Sequence, residues 1–144
     1  MKRNFFDLML GLLKVRKDRA VAQSRRVQGE LQRVQGFKNQ LDGYAQEYET
    51  QWLSAAREGD SVRNLQVQMD FGLRLRDTAR AQEPELTALT QQAAKAKQQA
   101  LAETERLKTL QAFQARLKIK ASLELERKEQ KELEDLLQAR HKTK

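Results

Sequence analysis

The sequence predicts an all-α fold: a long antiparallel two-helix coiled-coil hairpin with a shorter helical segment at the connecting end. Three observations carry this reading. Ala, Glu, Lys, Leu and Arg supply 55 % of the 144 residues, a share typical of long helices. Two apolar seams of alternating three- and four-residue steps flank a Gly-containing break. Eight aromatic residues, six glycines and one proline leave too little turn and β-forming chemistry for a sheet, sandwich or barrel. Much of the 39 % apolar content is Ala, which buries little area, so no compact globular core is expected. Frequent, regularly spaced Leu argues against disorder.

The first helix is expected over about residues 4–57. Its seam positions hold Phe6, Leu10, Leu13, Ala20, Val27, Leu31, Val34, Leu41, Ala45, Tyr48, Trp52 and Ala55. The three polar exceptions, Lys17, Ser24 and Lys38, all fall at heptad position a, where polar residues cost stability but restrict register and partner choice. Gly29, Gly36 and Gly43 are seven apart and fall at position f, the outer face. Each costs roughly 1 kcal/mol of helix propensity. Two readings remain for them, close approach of another chain and a solvated face that tolerates glycine.

Residues 58–61, Glu-Gly-Asp-Ser, predict a turn with Asp60 or Ser61 capping the next helix. That middle helix, about 61–82, has two apolar faces. Val62, Leu65, Met69 and Leu73 cluster on one; Val67, Phe71 and Leu75, with Thr78, on nearly the opposite one. One face is expected to pack on the helical pair, leaving the other for a partner or for burial within the fold or a dimer. Pro84 disfavours helical geometry at Glu83 and suits the first turn of a last helix, about 84–142. Its seam runs from Leu86 to Ala121, with exceptions at Glu103 and Gln114, and Leu133, Leu136 and Leu137 lie off its phase. The first and last helices have nearly equal length, roughly 80–90 Å each at 1.5 Å per residue. They are expected to satisfy each other as a single elongated domain over 1–144, and so as a monomer. One kinked helix over 61–142 that overhangs its partner is the alternative.

The chain carries a formal charge of +8, unevenly spread. Residues 1–26 hold eight basic and two acidic groups, whereas residues 27–60 hold three and six. Arg106, Lys108, Arg116, Lys118 and Lys120 form a basic run without an acid until Glu124. The basic residues alternate with Glu and Gln and no zipper-type basic region precedes the heptads, so specific nucleic-acid binding is not expected. Without cysteine there is no disulfide framework or thiolate metal site. The lone histidine, His141, cannot by itself build a zinc site or a catalytic triad, and reads as a solvated residue. Acidic pairs such as Glu103/Glu105 sit two apart and point in different directions on a helix. No phosphate-binding loop occurs. The sequence therefore predicts no enzyme activity, no cofactor and no metal. The apolar run after Lys2 and Arg3 is broken by Asp7 and ends at Lys14, too short for a spanning helix and unlike a signal peptide. Its residues are expected in the first turns of the seam, with contact to an anionic membrane surface as the other use.

Leu41, Tyr44 and Tyr48 are spaced like the L-x2-Y-x3-Y run that ends the first helix of one family, and a Gly-containing break, then Phe71 and Leu75, follow. With its length and its basic, apolar start, the chain resembles the FliJ family of flagellar type III export proteins. The resemblance spans the chain in architecture and is most specific at 41–75. It implies an antiparallel coiled coil similar to the stalk of rotary ATPases, in the cytoplasm at the inner face of the cell membrane. The paired terminal halves would dock with the hexameric export ATPase, for which Arg16, Lys17, Arg19, Arg116, Lys118 and Lys120 are the candidate contacts. The middle helix would meet the cytoplasmic part of the membrane export gate through a Phe-x3-Leu-x2-Ala-x3-His stripe. Phe71 and Leu75 match that stripe, while Thr78 stands where Ala is usual and Gln82 where His is found. Escort of export chaperones is also implied. The competing readings are the equivalent stalk of a virulence type III secretion system and a plain structural coiled-coil dimer.

Overall fold

The computed structural model describes the backbone of residues 2–142 and the side chains of 5–142; residues 1, 143 and 144, the ends of the expected 1–144 domain, lie outside the described residues. Three helices follow in order: α1 (Lys2–Arg57), α2 (Val62–Ala81) and α3 (Glu83–Lys142). The fold is an all-α helical hairpin in which α2 and α3 form the bent long arm. The chain divides into two compact units, Met1–Asp18 with Leu101–Lys144, and Arg19–Ala100.

The turn is a Schellman closure of α1. Gly59 adopts φ 80°, a left-handed geometry that favours glycine. Its N–H donates to the Ala56 carbonyl at 3.3 Å, and the Asp60 N–H donates to that of Ala55 at 3.1 Å, satisfying carbonyls that the helix end leaves open. Ser61, not Asp60, caps α2: its hydroxyl accepts from the Asn64 N–H at 3.3 Å. Asp60 braces the corner instead, accepting from the Ser61 N–H at 2.8 Å.

Pro84 bends the helix without ending its register. Gln82 keeps helical backbone angles (φ −79°, ψ −17°). Its N–H donates to the Ala79 carbonyl and its carbonyl accepts from the Leu86 N–H at 2.9 Å. Proline has no N–H for the carbonyl one turn back, and its ring crowds that carbonyl; just before it the Gln82 N–H donates three residues back, to Ala79, instead of four. Of the two arrangements open to the sequence, the kinked helix is the one adopted.

In the unit Arg19–Ala100, α1 packs antiparallel on α2 and the first part of α3. Each step along α1 away from the turn is matched by a step along the other arm. Tyr48 lies opposite Gly72, Lys38 reaches Glu83, and Val34 packs with Leu86 and Leu89, joined by Leu31. Every seam position expected in α1 is buried or half-buried, including Lys17, Ser24 and Lys38. Lys38 lays its stem along the seam and carries its ammonium out to 3.7 Å from the Glu83 carboxylate. Gly29, Gly36 and Gly43 face open space, with nothing within 4 Å of an added Cβ.

The middle helix departs from its expected orientation. The residues that pack are Leu65, Gln68, Gly72, Leu75, Ala79 and Gln82, a stripe lying between the two apolar faces read from the sequence. The seam of the long arm therefore begins at Leu65, not Leu86. Met69 and Leu73 on one flank and Phe71 on the other stay 43 %, 52 % and 46 % exposed. The reason is steric. Gly72 and Ala79 are small enough to sit against the facing helix, so the larger apolar neighbours are displaced to the flanks.

In the unit Met1–Asp18 with Leu101–Lys144, Phe6 meets Phe113 at 6.1 Å between ring centroids and Leu107 is buried. Seam burial stops at Gln114, and every described residue from Ala115 onward is exposed. Leu117 and Ala121, expected in the seam, are among them.

Two predictions follow from this packing. Glu103 occupies a seam position with one carboxylate oxygen paired to Arg106 and the other buried without a hydrogen-bond partner. Glu103→Leu should raise stability by about 1–3 kcal/mol in urea unfolding, by removing a half-satisfied buried charge. Amide hydrogen exchange should be fast along 115–138 and slow along 31–45 and 79–93, because a helix exposed on every side lacks the packing that holds most protein helices.

Candidate functional site

The hairpin end of the Arg19–Ala100 unit carries the candidate site. Gly72 provides the opening: its Cα position lies close enough to α1 that an added Cβ would stand 3.6 Å from the Tyr48 Cβ. With no side chain at 72, the Tyr48 ring tilts over the seam and packs on Phe71, centroids 4.7 Å apart and planes at 56°. Phe71 is thus held by an aromatic contact and still half open to solvent. By heptad position Phe37 and Tyr44 of α1 fall on the same flank as Phe71 and Thr78, and they are 47 % and 52 % exposed. The result is an aromatic flank on a rigid helical pair.

The four middle-helix residues singled out from the sequence divide by position. Phe71 and Thr78 lie on the open flank, the Thr78 hydroxyl donating to the Arg74 carbonyl at 2.8 Å. Leu75 and Gln82 are half-buried in the seam. Leu75 is therefore not surplus surface, and the stripe presents Phe71 with Tyr48 packed against it. Periodicity missed this aromatic neighbour because it read α2 without the facing helix.

The opposite flank is a groove of about 240 Å³ lined by Tyr48, Trp52, Gln68, Met69, Gly72 and Leu73, with Ala45 at its floor. Arg76 closes one side by donating to Glu49 at 2.6 Å. A charge-assisted contact of this kind fixes the relative position of the two helices. Elsewhere on α1, the exposed Arg33 guanidinium hydrogen-bonds the Glu30 carboxylate and holds its pKa below the usual value, while Arg33 is raised in turn.

The six basic candidates are not assembled into one cluster. Arg16 and Arg19 are exposed. Lys17 is a seam residue, 30 % exposed, with its ammonium 3.3 Å from Asp18. Arg116, Lys118 and Lys120 lie on the unpartnered part of α3. With Phe6 opposite Phe113, Arg16 and Lys17 stand level with Glu103, roughly 20 Å along the helix from Arg116. Among the described residues no group of three or more His, Cys, Asp or Glu could hold a metal, and no helix is long and apolar enough to cross a membrane.

The family model described as "Flagellar FliJ protein" matches residues 2–144. No curated protein and no solved structure matches the chain significantly.

The two sequence-matched apolar residues should separate on truncation. Leu75→Ala should cost about 2 kcal/mol or more in thermal unfolding, as a seam residue. Phe71→Ala should cost about 1 kcal/mol, the value of an aromatic pair at a half-exposed site.

Proposed function

Because the chain belongs to the FliJ family and is thereby a component of flagellar type III export, we propose that it is a non-enzymatic stalk that couples the hexameric export ATPase to the membrane export gate. In this reading the aromatic flank around Phe71 meets the cytoplasmic part of the gate protein, and the terminal halves meet the ATPase. The chain acts as a monomer in the cytoplasm, at the inner face of the membrane. It needs no cofactor.

The observation that supports this most is Phe71 itself. A half-exposed Phe, braced by Tyr48 on a two-helix scaffold, is an anchor whose conformation is set before binding. Preorganisation lowers the entropy cost of association, and aromatic anchors dominate interface energetics. Thr78 extends the same surface, while Leu75 and Gln82 support it from the seam. At the other end, exposed Arg16, Arg19, Arg116, Lys118 and Lys120 supply long-range attraction to an acidic partner surface. Lys17 contributes less there because its stem is committed to the seam. The groove beside Trp52 and Met69 is a second apolar surface, suited to an export chaperone.

Titration calorimetry tests both contacts. Phe71→Ala should weaken binding to the cytoplasmic portion of the gate by about 2 kcal/mol or more, roughly thirtyfold, with near-native thermal stability. Joint charge reversal of Arg116, Lys118 and Lys120 should weaken ATPase binding, with a smaller effect as salt rises. Unchanged affinities at low salt would remove the respective contact.

A further inference from the structure

Only half of the apolar residues at the start of α1 enter the seam. Phe6, Leu10 and Leu13 do. Phe5, Leu8, Leu12 and Val15 do not: they recur at three- and four-residue steps on the opposite face, exposed by 61 %, 73 %, 51 % and 48 %. Between them Gly11 leaves an open hollow, with nothing within 4 Å of an added Cβ and with Asp7 on its rim. The stripe is braced from behind, since the Phe5 ring packs edge-on against Phe6 at 6.1 Å and Phe6 rests on Phe113.

The surroundings of this stripe are cationic. Residues 1–26 hold eight basic and two acidic groups. Exposed Lys14 and Arg16 flank the stripe on α1 and outnumber the carboxylate beside it, Asp7. A second copy docking through this stripe would bring two strongly basic segments together, which repel. A folded protein partner would have to supply a matching groove for a convex helix face. A lipid surface needs no such shape, because it opens around inserted side chains. Apolar residues along one helix face with Lys and Arg beside them are what an interfacial helix requires: the apolar side chains enter the headgroup–acyl boundary and the cations meet lipid phosphates.

We propose that Phe5, Leu8, Leu12 and Val15 form a membrane-surface anchor that inserts into bilayers of anionic lipid, with Lys14 and Arg16 against the headgroups. The anchor is peripheral and reversible, since so short a stripe falls far below the length of a spanning helix. The inference shares Arg16 with the proposed ATPase contact but does not involve the Phe71 flank, and it is measured on the purified chain alone.

The test is flotation of the full chain with vesicles of phosphatidylglycerol and phosphatidylcholine, beside vesicles of phosphatidylcholine alone. The expected result is binding to the anionic vesicles only, weakening as salt rises. Leu8→Ser with Leu12→Ser should reduce partitioning about tenfold or more while the helical circular dichroism spectrum and melting temperature stay unchanged, because neither residue is in the seam. Leu133→Ser, which removes an equally exposed leucine from the unpartnered part of α3, should bind as the parent does. Absence of vesicle binding by the parent chain would overturn the proposal, as would equal binding to neutral vesicles or undiminished binding by the double variant. Sedimentation showing a dimer that the double variant abolishes, without vesicle binding, would assign the stripe to a second copy instead.

Discussion

One seam, one side chain wide, holds the structure together. Two helices can bury only the residues that face each other, and among the described residues the eight buried positions are Val, Leu and Ala, with no large side chain fully enclosed. The register of that seam is set at the turn. Gly59 in its left-handed conformation, the Ser61 cap and the Asp60 brace fix where the chain reverses, and each later pairing follows by helical counting. A residue added or lost at the turn would move every partner by about 100° around its helix. The ladder is interrupted at Pro84, yet the Leu86 N–H still reaches the Gln82 carbonyl and carries the helix on into α3.

A core this thin leaves little apolar surface to spend on specificity, and polar seam residues supply it. Lys38 carries its charge out to Glu83, and the Glu49–Arg76 contact ties the arms together near the hairpin end. Their contribution to stability is small at such exposure. Their effect is on alternatives: a shifted register or a parallel dimer would bury these charges without partners. Glu103 is the exception, with one oxygen left unsatisfied.

The thin core also explains why large apolar residues are so often on the surface. Gly72 and Ala79 occupy seam positions where a bulkier residue could have packed, so Phe71, Met69 and Leu73 are displaced to the flanks of the hairpin end. That end thus offers an aromatic surface on one side and a groove on the other. In the unit that contains the start of α1, the face turned from α3 carries its own apolar stripe among cations.

The sequence by itself determined that the fold is helical, where α1 ends, which positions of α1 face inward and that two long seams exist. Periodicity sees these because each seam position repeats through many turns, so single exceptions such as Lys17 or Ser24 do not hide the pattern. It also identified Phe71 as a residue of interest, and the resemblance at 41–75 pointed to the family that the match over residues 2–144 establishes. The tertiary structure alone decided which face of α2 packs. Leu65, Gln68, Gly72, Leu75, Ala79 and Gln82 carry too little apolar area to stand out on a wheel, and they pack because the facing residues, Tyr48 among them, need small partners. It also decided that the seam stops at Gln114, since burial depends on whether a partner helix is there. Hydrophobicity is a property of each residue, whereas the space opposite it belongs to another part of the chain.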